Sequence, residues 1–201
     1  GDRMDYLVSM ATVSVAGLEL AKKNMGAETF ANGDQTSTLI HTVNGKTILL
    51  QHNVYTPRPY DRMYQVVGTK GYAEKYPSPG FAFEPDQING DTDYENLSAH
   101  NFVPGDVYKK LLKKYQSPIV KDIEEKAKSV GGHGGMDFIM DYRLVWCLRN
   151  GKPLDMDVYD AAEWSCIGDL SAASIENGSK PVLVPDFTRG KWNKIQGYRH
   201  S

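Results

Sequence analysis

The chain has 201 residues, 40% of them hydrophobic and 24% charged, with a formal charge of −2; that is the make-up of one folded domain, 1–201, long enough to bury a core without disulfides or metals. The short like-charged runs, Lys109-Lys110, Lys113-Lys114 and Glu124-Glu125, read as solvated helix faces and argue against a nucleic-acid partner. No apolar run approaches the roughly 18 residues of a membrane helix, and Cys147 and Cys166 are spaced neither as a metal pair nor as a disulfide framework. The opening Gly1-Asp2-Arg3-Met4-Asp5 is neither a signal peptide nor an initiator, so the chain is expected to begin inside a longer protein or on a tag remnant.

In chain order, residues 5–14 alternate as a strand, and 17–24 form a short helix ended by Gly26. Residues 36–43 and 46–53 are β-rich runs around Asn44-Gly45, the dipeptide of a two-residue hairpin turn. That turn places Ile40 opposite Leu49 and Leu39 opposite Leu50, with Leu39, His41, Val43, Ile48 and Leu50 on the face expected to meet the core. Pro57 and Pro59 stiffen an exposed bend, and strands follow at 62–67 and 72–74, joined by Gly68-Thr69-Lys70-Gly71. From Tyr76 to Pro104 the composition is that of a long irregular segment, uncommon inside a compact domain. Helices are predicted at 106–115 and 118–129, then at 136–150 with Met136, Ile139, Met140, Leu144 and Cys147 along one side, and at 158–177 behind an Asp157 cap. A last short strand falls at 182–184. Strands first and helices later give an α+β fold, an open and largely antiparallel sheet backed by helices.

Two places can carry chemistry. Gly131-Gly132-His133-Gly134-Gly135 lets backbone approach a ligand at a helix start, with His133 in the middle and Asp137 just beyond; it can equally be a plain connector of two packed helices. It is not a dinucleotide fingerprint, since it follows a helix, and it lacks the lysine of a phosphate loop. Arg58 offers a fork of donors and Tyr60 a phenol at the end of a strand, or else Tyr60 packs on the sheet. His41 and His52 lie far apart along the ladder and His100 and His200 sit in polar segments, so no metal site is expected. No G-x-S-x-G, H-E-x-x-H or EF-hand pattern occurs.

The runs His133-Gly-Gly-Met-Asp137, Tyr142-Arg-Leu144, Cys147-Leu-Arg149, Asp157-Val-Tyr-Asp-Ala-Ala162, Trp164-Ser165 and Pro185-Asp-Phe-Thr-Arg-Gly190 with Trp192, and upstream Val54-Tyr-Thr-Pro-Arg-Pro-Tyr60 and Gly68-Thr-Lys-Gly71, resemble glycoside hydrolase family 109. Those enzymes are NAD-dependent α-N-acetylgalactosaminidases of the Gfo/Idh/MocA oxidoreductase superfamily. The resemblance implies that this chain is the C-terminal, substrate-side domain, inactive alone, and that NAD is bound mainly by an N-terminal Rossmann domain missing from it. It implies a sugar substrate of the N-acetylgalactosaminide kind and a reaction by transient C3 oxidation, elimination and water addition. It makes Tyr60 an active-site tyrosine with a positioning or proton-relay role, and Arg58, His133 and Asp137 sugar contacts. The same domain of a net sugar dehydrogenase is an alternative, and a module that forms a homodimer through its sheet is another. Export to the periplasm is favoured over the cytoplasm.

Overall fold

The computed structural model describes residues 1–87 and 98–194, so His200 lies outside the described residues. The described residues form two compact units, one of Gly1–Pro57 with 144–194, the other of Arg58–Arg143.

The first unit holds β1 (Met4–Ala11), α1 (Ala16–Met25), β2 (Thr36–Thr42), β3 (Thr47–His52) and, late in the chain, a short β7 (Val182–Leu183). These strands make an antiparallel sheet in the order β3-β2-β1-β7. Leu7 and Ile40 from its inner face pack with Ile167 and Val184 as the buried core. Asp34, across the chain from α1, accepts from the backbone N–H groups of Val15, Ala16 and Gly17 at 2.8–3.0 Å. A remote carboxylate thus caps a helix whose own N-cap, Val15, has no side chain able to do so. Those backbone donors, Gly17 first, hold the Asp34 carboxyl below its ordinary pKa.

The hairpin corrects the expectation. Ile40 faces Ile48 and Leu39 faces Leu49, one residue out of the predicted register. Thr42 N donates to Lys46 O at 2.9 Å and Gly45 alone takes the left-handed turn conformation, with φ 78°. The loop is therefore the three-residue kind, a turn followed by a left-handed glycine. Because side chains alternate, the predicted core face is also reversed on β2: Thr38, Ile40 and Thr42 are buried and Leu39 is exposed.

The inner face owes much of its contact to hydroxyls. Ser9 N donates to Ser174 Oγ at 2.9 Å, Ser9 Oγ meets Thr38 Oγ1 at 2.8 Å, and Thr38 Oγ1 meets Ser171 Oγ at 3.1 Å. The predicted single last helix is two, α5 (Val158–Ser165) and α6 (Ile167–Glu176). Cys166 ends one and opens the other with ψ −13°, well short of the helical value. Asp157 does cap α5, in a capping box with Asp160.

In the second unit, β4 (Gln65–Val67), β5 (Gly71–Glu74) and β6 (Gly80–Phe83) form a three-stranded antiparallel sheet. The strand β6 and a 3₁₀ turn at Pro85–Gln87 lie within the stretch read as irregular. Helix α2 (Gly105–Lys114) lays Val107 and Leu111 against Phe81 and Phe83. Helix α3 (Pro118–Val130) follows, and then α4 (Met136–Arg149) begins. On α4 the buried positions are Arg143 and Cys147, whereas Met136, Met140 and Leu144 are exposed. Of the expected apolar side only Cys147 is buried and Ile139 half-buried: this helix carries apolar residues all round, and spacing alone cannot pick a face. No helix among the described residues is long and apolar enough to cross a membrane.

Candidate functional site

All four residues singled out in the sequence fall in the second unit, in two local arrangements. The first is the glycine segment. From Gly131 to Gly135 every residue, His133 included (φ 47°), has positive φ. A left-handed conformation at a side-chain-bearing residue is strained by about 1–3 kcal/mol and persists only where the surroundings enforce it. One enforcing contact is visible at Gly135, where a Cβ would stand 2.7 Å from the backbone carbon of Ala127 on α3. Strained in this way, His133 turns back over the start of α4, and its Nδ1 lies 2.9 Å and 3.2 Å from the two Asp137 carboxylate oxygens. The carboxylate fixes the ring's orientation and leaves Nε2 for another partner, since the imidazole is largely exposed.

The second arrangement is the proline bend. Arg58 and Tyr60 are both exposed. Tyr60 is held edge-on against Tyr76, with ring centroids 5.8 Å apart, and Arg62 Nε donates to its phenol oxygen. Lys75 Nζ lies 5.6 Å from the centre of the Tyr76 ring. The bend runs straight into the sheet: Lys75 N donates to Tyr64 O at 3.0 Å, continuing the β4–β5 ladder one pair further. Two tyrosine rings flanked by two cations make a surface that can stack on a sugar ring and donate to its oxygens. Sequence reasoning singled out Arg58 and Tyr60 but missed Arg62, Lys75 and Tyr76. The hairpin pairing of β4 with β5 was the signal that brings Tyr76 back beside the bend.

No hydrogen bond or ring contact among the described residues joins the Tyr60 arrangement to the His133–Asp137 pair, so the structure presents two separate surface features. Neither lines either of two cavities formed among the described residues. One, of about 690 Å³, opens beside β5, β6 and α2 and is lined by Tyr72, Phe81, Phe83, Leu111 and Tyr115. Nearby the Glu74 carboxylate accepts from the Tyr72 phenol at 2.5 Å, which raises the Tyr72 pKa and keeps it a donor. The other, of about 500 Å³ in the first unit, is lined by Asn32, Thr38, His52, Trp164, Ser171 and Glu176. No group of three or more His, Cys, Asp or Glu among the described residues is placed to hold a metal ion. His41 faces Thr47 while His52 faces Thr36, so the two histidines stand at opposite ends of their ladder.

Residues 1–194 match the family described as glycosyl hydrolase 109, C-terminal domain. Similar proteins include the glycosyl hydrolase family 109 protein 1 of Bacteroides fragilis (strain YCH46), 63% identical over 205 residues, and that of Bacteroides thetaiotaomicron, 62% identical over 205 residues. The glycosyl hydrolase family 109 protein of Porphyromonas gingivalis is 57% identical over 205 residues. Each match covers 100% of this chain and 44% of the relative, so the chain spans less than half the length of the curated relatives it matches.

Proposed function

We propose, from the premise that this chain belongs to glycosyl hydrolase family 109, that it is the substrate-side part of an enzyme cleaving α-N-acetylgalactosaminides. The observation that carries this reading is Tyr60, an exposed phenol oriented by Arg62 and Tyr76 at the end of a sheet. Rigid elements that present polar groups at a loop are the usual framework of a sugar site. In this reading Tyr60 and Arg58 hold the sugar's oxygens, while His133, braced by Asp137, offers Nε2 as a further contact or proton acceptor.

The reaction proposed with this family is transient oxidation at C3, elimination of the leaving group and addition of water, with NAD as the oxidant. The residues of this chain do not fit that cofactor. No G-x-G-x-x-G turn joins a strand to a helix, and the glycine cluster spends its open space on the approach of Gly135 to α3. NAD would be held by another part of the full-length protein, and the chain alone would be silent. A homodimer through the first unit's sheet fits the same reading, because Met10, Leu39, Leu49 and Leu183 leave an apolar strip on its outer face. Export from the cytoplasm is part of the proposal.

The test is hydrolysis of para-nitrophenyl α-N-acetylgalactosaminide by the full-length protein that carries this chain and by the 201-residue chain, with and without NAD⁺. Activity in the full-length protein alone, reduced at least tenfold in Tyr60→Phe, is the expected result. A silent full-length protein removes the substrate assignment, and turnover by the short chain removes the division of labour.

A further inference from the structure

The Tyr60 phenol has a partner that neither the sequence patterns nor the family resemblance points to. Arg62 stands two residues further on, its Nε–H donating to Tyr60 Oη and its guanidinium carbon 5.4 Å from the ring centroid. The bend is built to hold this geometry. Pro57 and Pro59 fix φ on the way in. Asp61 Oδ1 accepts from Met63 N at 2.6 Å, and Met63 itself turns with φ 46°. Beyond it, Tyr64 is tied to the β4–β5 ladder through Lys75. Tyr76 abuts the ring on its edge.

We propose that Arg62 is a positioning residue that makes Tyr60 a hydrogen-bond donor to a bound sugar oxygen. A phenol has one proton to give and lone pairs that accept, whereas a guanidinium only donates and stays charged at any working pH. With an acceptor position of Oη taken by Arg62, the Tyr60 O–H must look elsewhere, and among the described residues it meets no acceptor. Tyr60 is 69% exposed, so the proton is aimed at whatever binds beside the bend. Without Arg62 the hydroxyl can rotate freely and can as well accept as donate. The inference rests on the reading of Tyr60 as a sugar-facing residue. A purely structural staple would place the same two side chains together, so the test must read the phenol and its chemistry separately.

Two measurements do so. In the 201-residue chain labelled at tyrosine Cζ, the Tyr60 resonance at neutral pH is expected to move in Arg62→Gln and to move less in Arg62→Lys, which keeps a charged donor. A resonance that stays in place in Arg62→Gln overturns the pairing. In the full-length protein, kcat and KM on para-nitrophenyl α-N-acetylgalactosaminide are compared for Tyr60→Phe, Arg62→Gln and the double variant. The expected result is a loss on the order of tenfold in kcat for Arg62→Gln with KM little changed, partly recovered by Arg62→Lys and largely absent on the Tyr60→Phe background. Losses that simply add show Arg62 acting independently and overturn the proposal. If Tyr60→Phe leaves hydrolysis intact while the resonance still moves, the sugar-site reading of Tyr60 fails and the donor role falls with it.

Discussion

His133 and Glu163 are each held in a condition that costs stability. His133 has a positive φ that glycine would adopt without strain. His133→Gly should therefore change stability by no more than about 1 kcal/mol in either direction, strain relief offsetting added chain entropy and the lost Asp137 contact. Binding of N-acetylgalactosamine, followed by calorimetry, should weaken all the same. Equal loss of stability and binding would make the histidine structural. Glu163 is raised above the ordinary carboxylate pKa by burial, a shift opposed by the Met4 N–H that donates to it at 2.5 Å and reinforced by Asp160. With the folded-state pKa the higher one, the folded protein binds the proton more tightly, so this group lowers stability as pH rises from the ordinary carboxylate value through the raised one. Above the raised value that cost is fully present. Glu163→Gln keeps an acceptor for Met4 and should raise stability at pH above the raised pKa, a gain that vanishes in acid unfolding curves. Asp34 works in the opposite sense: its pKa is lowered by the α1 backbone donors, so its contribution is present at neutral pH and lost as pH falls through the lowered value.

At the level of elements, the contact of α6 with β1 depends on serines as well as on the aliphatic packing of Leu7 and Ile167. Strand β7 reaches only Tyr6 and Leu7 of β1, and two residues further along the Ser174 hydroxyl accepts from Ser9 N while donating to Lys180 O. A side chain stands in where the neighbouring strand has ended. Ser174→Ala leaves a fully buried backbone N–H without an acceptor and should cost about 1–3 kcal/mol, measurable by urea unfolding; a change within error would mean that water replaces the hydroxyl. This layer was not legible in the sequence, because serines and threonines at core positions look like the polar side of a strand. The same disguise explains the reversed face of β2. Thr38 and Thr42 read as solvent-facing, and a one-residue difference in loop type then moved the whole ladder. What was legible is what local chemistry decides: the α+β order, the hairpin itself, the Asp157 cap, and proline at the start of α3.

For the whole molecule, periodicity located elements more readily than it located their surroundings. Helix α4 has no polar side to mark its exposed face, and the actual one, with Met140, Leu144, Val145 and Leu148, is apolar. The candidate site was legible only in part for a related reason: Tyr60 and His133 announce themselves by residue type, but Arg62 and Tyr76 matter through pairing that only the folded chain supplies. The outer sheet face allows a direct check on assembly. Leu39 and Leu49 are cross-strand neighbours, 54% and 53% exposed. If they form a dimer seam, Leu39→Glu should yield a monomer in sedimentation with the fold unchanged by circular dichroism; a species of unchanged size rules that seam out. The hydroxyl layer under the other face has a thermal consequence. Unfolding that exposes polar groups lowers the heat-capacity change that apolar exposure raises. A unit closed in part by Ser9, Thr38, Ser171 and Ser174 should therefore have a flatter stability curve than an aliphatic core of its size, losing less on cooling below its optimum.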